Sequence, residues 1–173
     1  MTSVRPAVVD DVPAIAAVHV RTWQTAYEGL LPQTVLDGLD VAERAAMWRN
    51  AIEHPSLPGA IFVAESDGMV VGFVAVGIYR APGGERDPSA AQVFAIYVTP
   101  DRWSIGAGMG LMHAAIEHLA GHGFAEVRLW VFADNPRARR FYERCGFVAD
   151  GETLVEDVGG RPVEEVRYTL HVR

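Results

Sequence analysis

The stretch IYVTPDRWSIGAGMGLM, residues 96–112, starts as an apolar β-strand, passes through three glycines in five positions and continues with a helical pattern. The first amides of a helix have no internal partner and carry partial positive charge, so they suit phosphate oxygens. Glycine permits an unusual φ and lets a phosphate reach the backbone. A glycine run alone is also compatible with a merely flexible helix start. The stretch therefore predicts a strand–loop–helix unit and leaves phosphate binding open.

The rest of the chain predicts a mixed α/β fold around this unit. Apolar periodicity and turn residues give the order β-α-α-β-β-β-α-β-α-β-β. Strands are expected near residues 4–9, 60–65, 69–79, 92–99, 126–132, 147–156 and 163–172, and helices near 12–27, 34–53, 106–120 and 135–145. Residues 81–90 are expected to form an exposed loop, and Asp134 is expected to cap the last helix. The first five strands suggest an antiparallel group followed by one parallel crossover.

Composition limits the function classes. The 173 residues favour a single domain spanning 1–173, with Cys145 as the one cysteine and with arginine as the only basic residue apart from histidine. Without lysine there is no Schiff base and no Walker-type phosphate lysine. The net charge of −7 argues against nucleic-acid binding. We expect no metal site from cysteine or histidine spacing, no membrane partner, and a cytoplasmic location, because no apolar run or leader pattern is visible.

A second motif, NPRARRFYERCGF, occupies residues 135–147. Asn135 and Tyr142 are seven residues apart, so they share one face of a helix, and the small Ala138 lies between them. Phe141 is offset toward the core. The pattern predicts either a face with two polar groups around a gap or an ordinary amphipathic helix with a buried tyrosine.

Together, the two motifs resemble the signature motifs of the GCN5-related N-acetyltransferases, the GNAT family, and the element order resembles the fold of that family along nearly the whole chain. The resemblance implies acetyl-coenzyme A as co-substrate, with a glycine loop that holds the pyrophosphate and a preceding strand that pairs with pantetheine. It implies Tyr142 as the acid that protonates the leaving thiolate. The coenzyme-binding residues it implies are Ile96, Tyr97, Val98, Trp103, Ser104, Ile105, Gly106, Ala107, Gly108, Met109, Asn135, Ala138 and Arg139.

The chain also departs from the family pattern. Trp103 stands where the loop usually has arginine or glutamine, and Ile105 stands where a basic residue is common. We expect weaker coenzyme binding than in a typical member, with nearby arginines supplying charge to the phosphates. The strand at 92–99 has no carboxylate, although many members place their base there. The general base is therefore elsewhere, reached through water, or unnecessary because the amine arrives deprotonated.

The resemblance implies an acceptor wall built from the first helix and its following loop, here Trp23, Tyr27 and Glu28, with His19 on the same stripe as a minor candidate base. The last hairpin, near Glu156 to Glu165, is expected to form the other wall, although its carboxylates, Glu156, Asp157, Glu164 and Glu165, are expected to be mostly surface charge. The predicted function is acetyl transfer to a primary amine on a small molecule or a peptide N-terminus. The alternative is a sensor of the same fold that binds acyl-coenzyme A without turnover. A homodimer is also considered. A Rossmann enzyme is excluded because position 111 is leucine, which leaves no G-x-G-x-x-G.

Overall fold

The computed structural model of the chain describes residues 1–172, which form one seven-stranded mixed sheet with five α-helices. The strand order across the sheet is β1-β2-β3-β4-β5-β7-β6. The strands are β1 Thr2–Pro6, β2 Ala60–Ser66, β3 Met69–Arg80, β4 Arg86–Val98, β5 Glu126–Phe132, β6 Val148–Val158 and β7 Arg161–His171. The helices are α1 Val12–Ala26, α2 Gln33–Asp37, α3 Val41–Glu53, α4 Ala107–Gly121 and α5 Pro136–Arg144. The predicted fold class is confirmed.

The sheet opens between its two parallel strands. β4 and β5 pair only at Ala91 with Val127 and at Gln92 with Arg128. The β3–β4 register shifts so that Phe94 is an extra residue on β4, a bulge that bends the strand. β5 instead continues to pair with β7 as far as Phe132. A cleft therefore separates the second half of β4 from the second half of β5.

Both faces of the sheet are covered. The buried stripe of α4, including Leu111, Met112 and Leu119, packs with the inner residues of β3, β4 and β5. On the opposite face, Ile15 and Val18 of α1 and Trp48 of α3 pack against Phe73 and its strand neighbours. Helix α5 lies beside α4 and covers Tyr168, whose hydroxyl donates to Glu143 Oε1 at 2.9 Å. None of the helices in residues 1–172 is both long and apolar enough to cross a membrane.

Three local predictions were wrong. The helix expected over 34–53 is divided at Gly38, and α3 restarts with Asp40, whose carboxylate accepts from Glu43 N at 3.0 Å. The cap of α5 is Asn135 rather than Asp134, since its Oδ1 accepts from Ala138 N at 3.2 Å. The predicted loop 81–90 shrinks to a turn because β4 already begins at Arg86. This polar segment pairs with β3 at Tyr79 and Arg80, and the Asp87 carboxylate lies 3.2 Å from Arg128 Nη1 of β5.

Candidate active site

The loop between β4 and α4 is bent by two residues with positive φ, Ser104 at 72° and Gly106 at 88°. A positive φ is unfavourable for a residue with a side chain, so Ser104 stores strain of a kind that clusters at functional sites. The first α-helical bond of α4 runs from Gly110 N to Gly106 O at 3.0 Å. The N–H groups that precede it at the helix start are left for a ligand.

The three glycines of the loop have different roles. A Cβ at Gly106 would meet no atom within 4 Å, so this position needs glycine for its φ and not for space. A Cβ at Gly108 would lie 3.2 Å from the Phe141 ring. A Cβ at Gly110 would lie 3.2 Å from Val4 Cγ2. Gly108 and Gly110 therefore allow close packing of α4 against α5 and β1.

Trp103 folds back onto the end of β4. Its Nε1 donates to Val98 O at 2.7 Å, and Thr22 Oγ1 donates to the same oxygen at 3.4 Å. The Arg137 guanidinium carbon lies 3.0 Å from the centroid of the indole ring. The tryptophan thus closes one side of the loop and holds a cation from α5 over its ring.

A groove of about 330 Å³ runs from this loop across α5 to the end of β4. Four arginines face it, Arg102, Arg137, Arg140 and Arg144. Of the predicted coenzyme-binding residues, those that line it are Ile96, Tyr97, Val98, Trp103, Ser104, Gly106, Gly108, Met109, Asn135 and Ala138. The structure thus brings the two sequence motifs together around one groove with a positively charged side.

Three other predicted coenzyme-binding residues do not line the groove. Ile105 is exposed and Ala107 is buried at the start of α4. Arg139 turns away, with Nε donating to the Tyr168 hydroxyl at 3.1 Å and Nη1 donating to Ala133 O at 3.1 Å. Arg139 therefore anchors α5 to β7 and the β5–α5 turn.

A second cavity of about 300 Å³ lies on the other side of the opening in the sheet. The two spaces meet at the separation of β4 and β5, because they share the lining residues Tyr27, Ile96, Tyr97, Asn135, Ala138 and Tyr142. An elongated ligand lying in the groove would reach the second cavity at Tyr142.

Tyr142 stands at this junction. Its ring packs edge-on against Phe141 at 5.4 Å and Phe147 at 6.2 Å between centroids. Burial, followed by the nearby Tyr97 and Cys145, raises the pKa of the Tyr142 phenol well above its usual range. The hydroxyl therefore carries its proton throughout the neutral range and can donate it or a hydrogen bond.

Aromatic side chains form one wall of the second cavity. The rings of Trp23 and Tyr27 meet at 5.0 Å, and those of Tyr27 and Phe132 meet at 4.9 Å between centroids. The buried Trp23 Nε1 has no hydrogen-bond partner within residues 1–172. Two of the three predicted acceptor residues, Trp23 and Tyr27, line this cavity, whereas Glu28 is exposed and outside it.

His19 lies behind this wall and lines neither cavity. Its Nδ1 accepts from Trp48 Nε1 at 3.0 Å, and its ring stacks on Tyr97 at 5.3 Å between centroids. Burial, with a smaller effect of Arg44, lowers the pKa of His19 to about 4. The imidazole is therefore neutral at pH 7 and serves as a hydrogen-bond acceptor in the core.

Two carboxylates of the last hairpin, Glu156 on β6 and Glu165 on β7, line the opposite side of the second cavity. Burial, followed by the charge of Glu156, raises the pKa of Glu165 to about 7. Sequence reasoning named this hairpin as the other wall but did not single out Glu165, because the environment of Glu165 depends on long-range pairing, with Phe132 on one side and Leu154 on the other. Its neighbour Glu164 points to the other face of the strand, as alternation requires, and is exposed.

Residues 22–147 match the model of the Acetyltransferase (GNAT) family. The chain is 33% identical over 136 residues to the uncharacterized N-acetyltransferase YuaI of Bacillus subtilis (strain 168), which covers 79% of this chain and 75% of that protein. It is 29% identical over 172 residues to the probable N-acetyltransferase Rv2775 of Mycobacterium tuberculosis, covering 97% and 92% respectively. The fold is similar to the PaiA N-acetyltransferase of Thermoplasma acidophilum in complex with coenzyme A, with a TM-score of 0.75, 19% identity and 99% of each chain covered.

Proposed function

The chain belongs to the Acetyltransferase (GNAT) family, and from this premise we propose that it transfers the acetyl group of acetyl-coenzyme A to a primary amine on a small molecule or a peptide N-terminus. The observation that carries the proposal is the position of Tyr142, whose side chain lines both the groove and the second cavity. One space takes the donor, the other takes the acceptor, and a protonated phenol stands where they meet.

The groove suits the phosphates and the arm of the coenzyme. The free N–H groups at the start of α4 and the dipole of this helix of 15 residues bind the pyrophosphate. Arg102 from the loop and Arg137, Arg140 and Arg144 from the α5 motif add positive charge along the groove. The pantetheine arm follows β4 past Ile96 and Tyr97 into the opening of the sheet.

The reaction is direct attack on the thioester. The amine nitrogen bonds to the carbonyl carbon, and a backbone N–H near Ile96–Val98 stabilises the oxyanion of the tetrahedral intermediate. The intermediate collapses with cleavage of the C–S bond, and Tyr142 gives its proton to the sulfur. Burial raises the pKa of the phenol. The same apolar surroundings disfavour a thiolate and so raise the pKa of the thiol. The pKa values of the proton donor and of the proton acceptor therefore shift in the same direction.

The alternative, a sensor that binds acyl-coenzyme A without turnover, has one observation in its favour. β4 contributes no carboxylate to the second cavity, and the side chain of Gln92 is already engaged because its Oε1 accepts from Arg80 N at 2.9 Å. Release of free thiol from acetyl-coenzyme A in the presence of a broad amine and peptide panel discriminates the two functions. The sensor would bind the coenzyme and release no thiol above the background without amine.

The role of Tyr142 is tested by the isosteric substitution Tyr142→Phe. We expect kcat to fall by about 10²-fold or more, in line with the usual contribution of a general acid, while the Kd for acetyl-coenzyme A changes less than threefold, roughly. The measurements are steady-state thiol release and calorimetric binding. An unchanged kcat would remove Tyr142 from the acid role while leaving the donor groove intact.

A further inference from the structure

The second cavity has two acidic groups and no basic one. Glu165 and Glu156 line it from adjacent strands, and its other lining residues include no arginine or histidine. Neither carboxylate forms an ion pair with any residue of the described chain, 1–172. A partly buried carboxylate without a cation is unfavourable, and a like charge beside it adds to the cost. A bound cation would relieve both effects.

The other walls of the cavity are apolar or neutral. Trp23 and Tyr27 close it from the end of α1, Trp130 and Phe132 from β5, and Tyr142 from α5. A ring or a short aliphatic body fits against these aromatic faces, which also attract an adjacent cation. The cavity, with its volume of about 300 Å³, is at the small end of ordinary ligand sites.

We propose that Glu165 is the base that accepts a proton from the acceptor ammonium group, with Glu156 beside it, and that the acceptor is a small cationic amine with an apolar body and no carboxylate. The inference rests on the proposed acetyl transfer and adds to it the missing base and the acceptor class. A carboxylate on the acceptor would face two like charges with no basic side chain to receive it.

The protons balance as follows. The ammonium gives one proton to a Glu165 carboxylate oxygen and becomes a nucleophilic amine. As the C–N bond forms, the nitrogen becomes cationic and loses a second proton, which replaces the proton that Tyr142 gives to the sulfur as the C–S bond breaks. Glu165 then loses its proton to solvent. The products are the N-acetyl amine, coenzyme A with a free thiol, and one proton.

Four titratable groups line the second cavity with Glu165. They are Glu156 from β6, Tyr27 after α1, Tyr97 from β4 and Tyr142 from α5. Burial raises the pKa of each of the three phenols, so all three stay neutral over the range in which Glu165 titrates. Burial and the charge of Glu156 raise the pKa of Glu165 to about 7. The kcat/KM of the enzyme should therefore rise with pH through about 7.

The experiment compares 2-phenylethylamine with phenylalanine, which differ only in the α-carboxylate, as acceptors for the wild type and three variants. Glu165→Gln should lose roughly 10²-fold or more of kcat/KM and lose the acid limb of the pH profile. Glu156→Gln should shift that limb to lower pH, because the like charge is gone. Glu164→Gln, on the exposed neighbour, is the matched control and should keep the wild-type profile. Phenylalanine should react at least about 10²-fold more slowly than the amine, the cost of burying its unpaired carboxylate.

The outcomes distinguish the proposed role of Glu165 as the base from the proposed acetyl transfer itself. An acid limb that persists in Glu165→Gln with kcat/KM near wild type would overturn the base, because the amine would then arrive deprotonated or use another group. Equal rates with both acceptors would overturn the acceptor class. Binding of acetyl-coenzyme A without thiol release for any member of a wider amine panel would overturn the proposed function, and this inference with it. Calorimetric binding of the coenzyme to Glu165→Gln verifies that this variant is folded.

Discussion

His19 provides a prediction that separates a core histidine from a catalytic one. The substitution is His19→Gln, which retains an oxygen acceptor for Trp48 Nε1, now bonded to the imidazole at 3.0 Å. His19 is 5% exposed and lines neither cavity. We therefore expect kcat/KM within about threefold of wild type at pH 7, whereas loss of a general base costs roughly 10²-fold or more.

The larger effect of this substitution is on the pH dependence of stability. Burial lowers the pKa of His19 from 6.5 to about 4. Between these values the unfolded chain binds a proton that the folded chain excludes, so stability falls as the pH falls below about 6.5 and levels off below about 4. Linkage gives a loss of about 2 kcal/mol in the free energy of unfolding between pH 7 and pH 5 for this one residue.

The assay is urea unfolding of wild type and His19→Gln at pH 7 and pH 5. For each protein, the loss in the free energy of unfolding between pH 7 and pH 5 is measured, and the two losses are compared. The comparison cancels the contributions of the other titrating groups, including Glu165, whose raised pKa changes stability in the opposite direction. The wild type should lose about 2 kcal/mol more than the variant. His113→Gln, on the exposed face of α4, is the control and should behave as wild type. A difference below about 0.5 kcal/mol, the usual limit of additivity, would refute the assignment of a neutral core imidazole.

Two further predictions concern the groove. Trp103→Arg places a charged donor where the family pattern has one, and should tighten acetyl-coenzyme A binding by roughly tenfold, the contribution of one charge-assisted hydrogen bond. A calorimetric Kd that is already submicromolar in the wild type and unchanged in the variant would contradict this. Gly108→Ala forces a Cβ to 3.2 Å from the Phe141 ring and should lower the free energy of unfolding by about 1–3 kcal/mol. Gly121→Ala, with nothing within 4 Å of its Cβ, is the matched control and should be close to neutral in the same unfolding assay.

Local patterns in the sequence were sufficient to predict which residues come together around the groove. The spacing of Asn135 and Tyr142 places both on one face of α5, and ten of the predicted coenzyme-binding residues line the same groove. These features are short-range, because a helix repeats every 3.6 residues and a strand–loop–helix junction exposes its own N–H groups. Arg139 does not line the groove, because a residue outside the pattern intervenes: its guanidinium bonds to Tyr168 of β7.

The lining of the second cavity depended on tertiary structure. The sequence by itself determined that no carboxylate lies on the β4 segment 92–99 and that the last hairpin carries several. Only the pairing of β7 with β5 decided that Glu165 lines the second cavity while Glu164 is exposed. Alternation along a strand defines two faces but does not say which one is covered, since a shift of one residue exchanges them. That choice is made by contacts between residues far apart in the chain, and it gives Glu165 its place and its raised pKa.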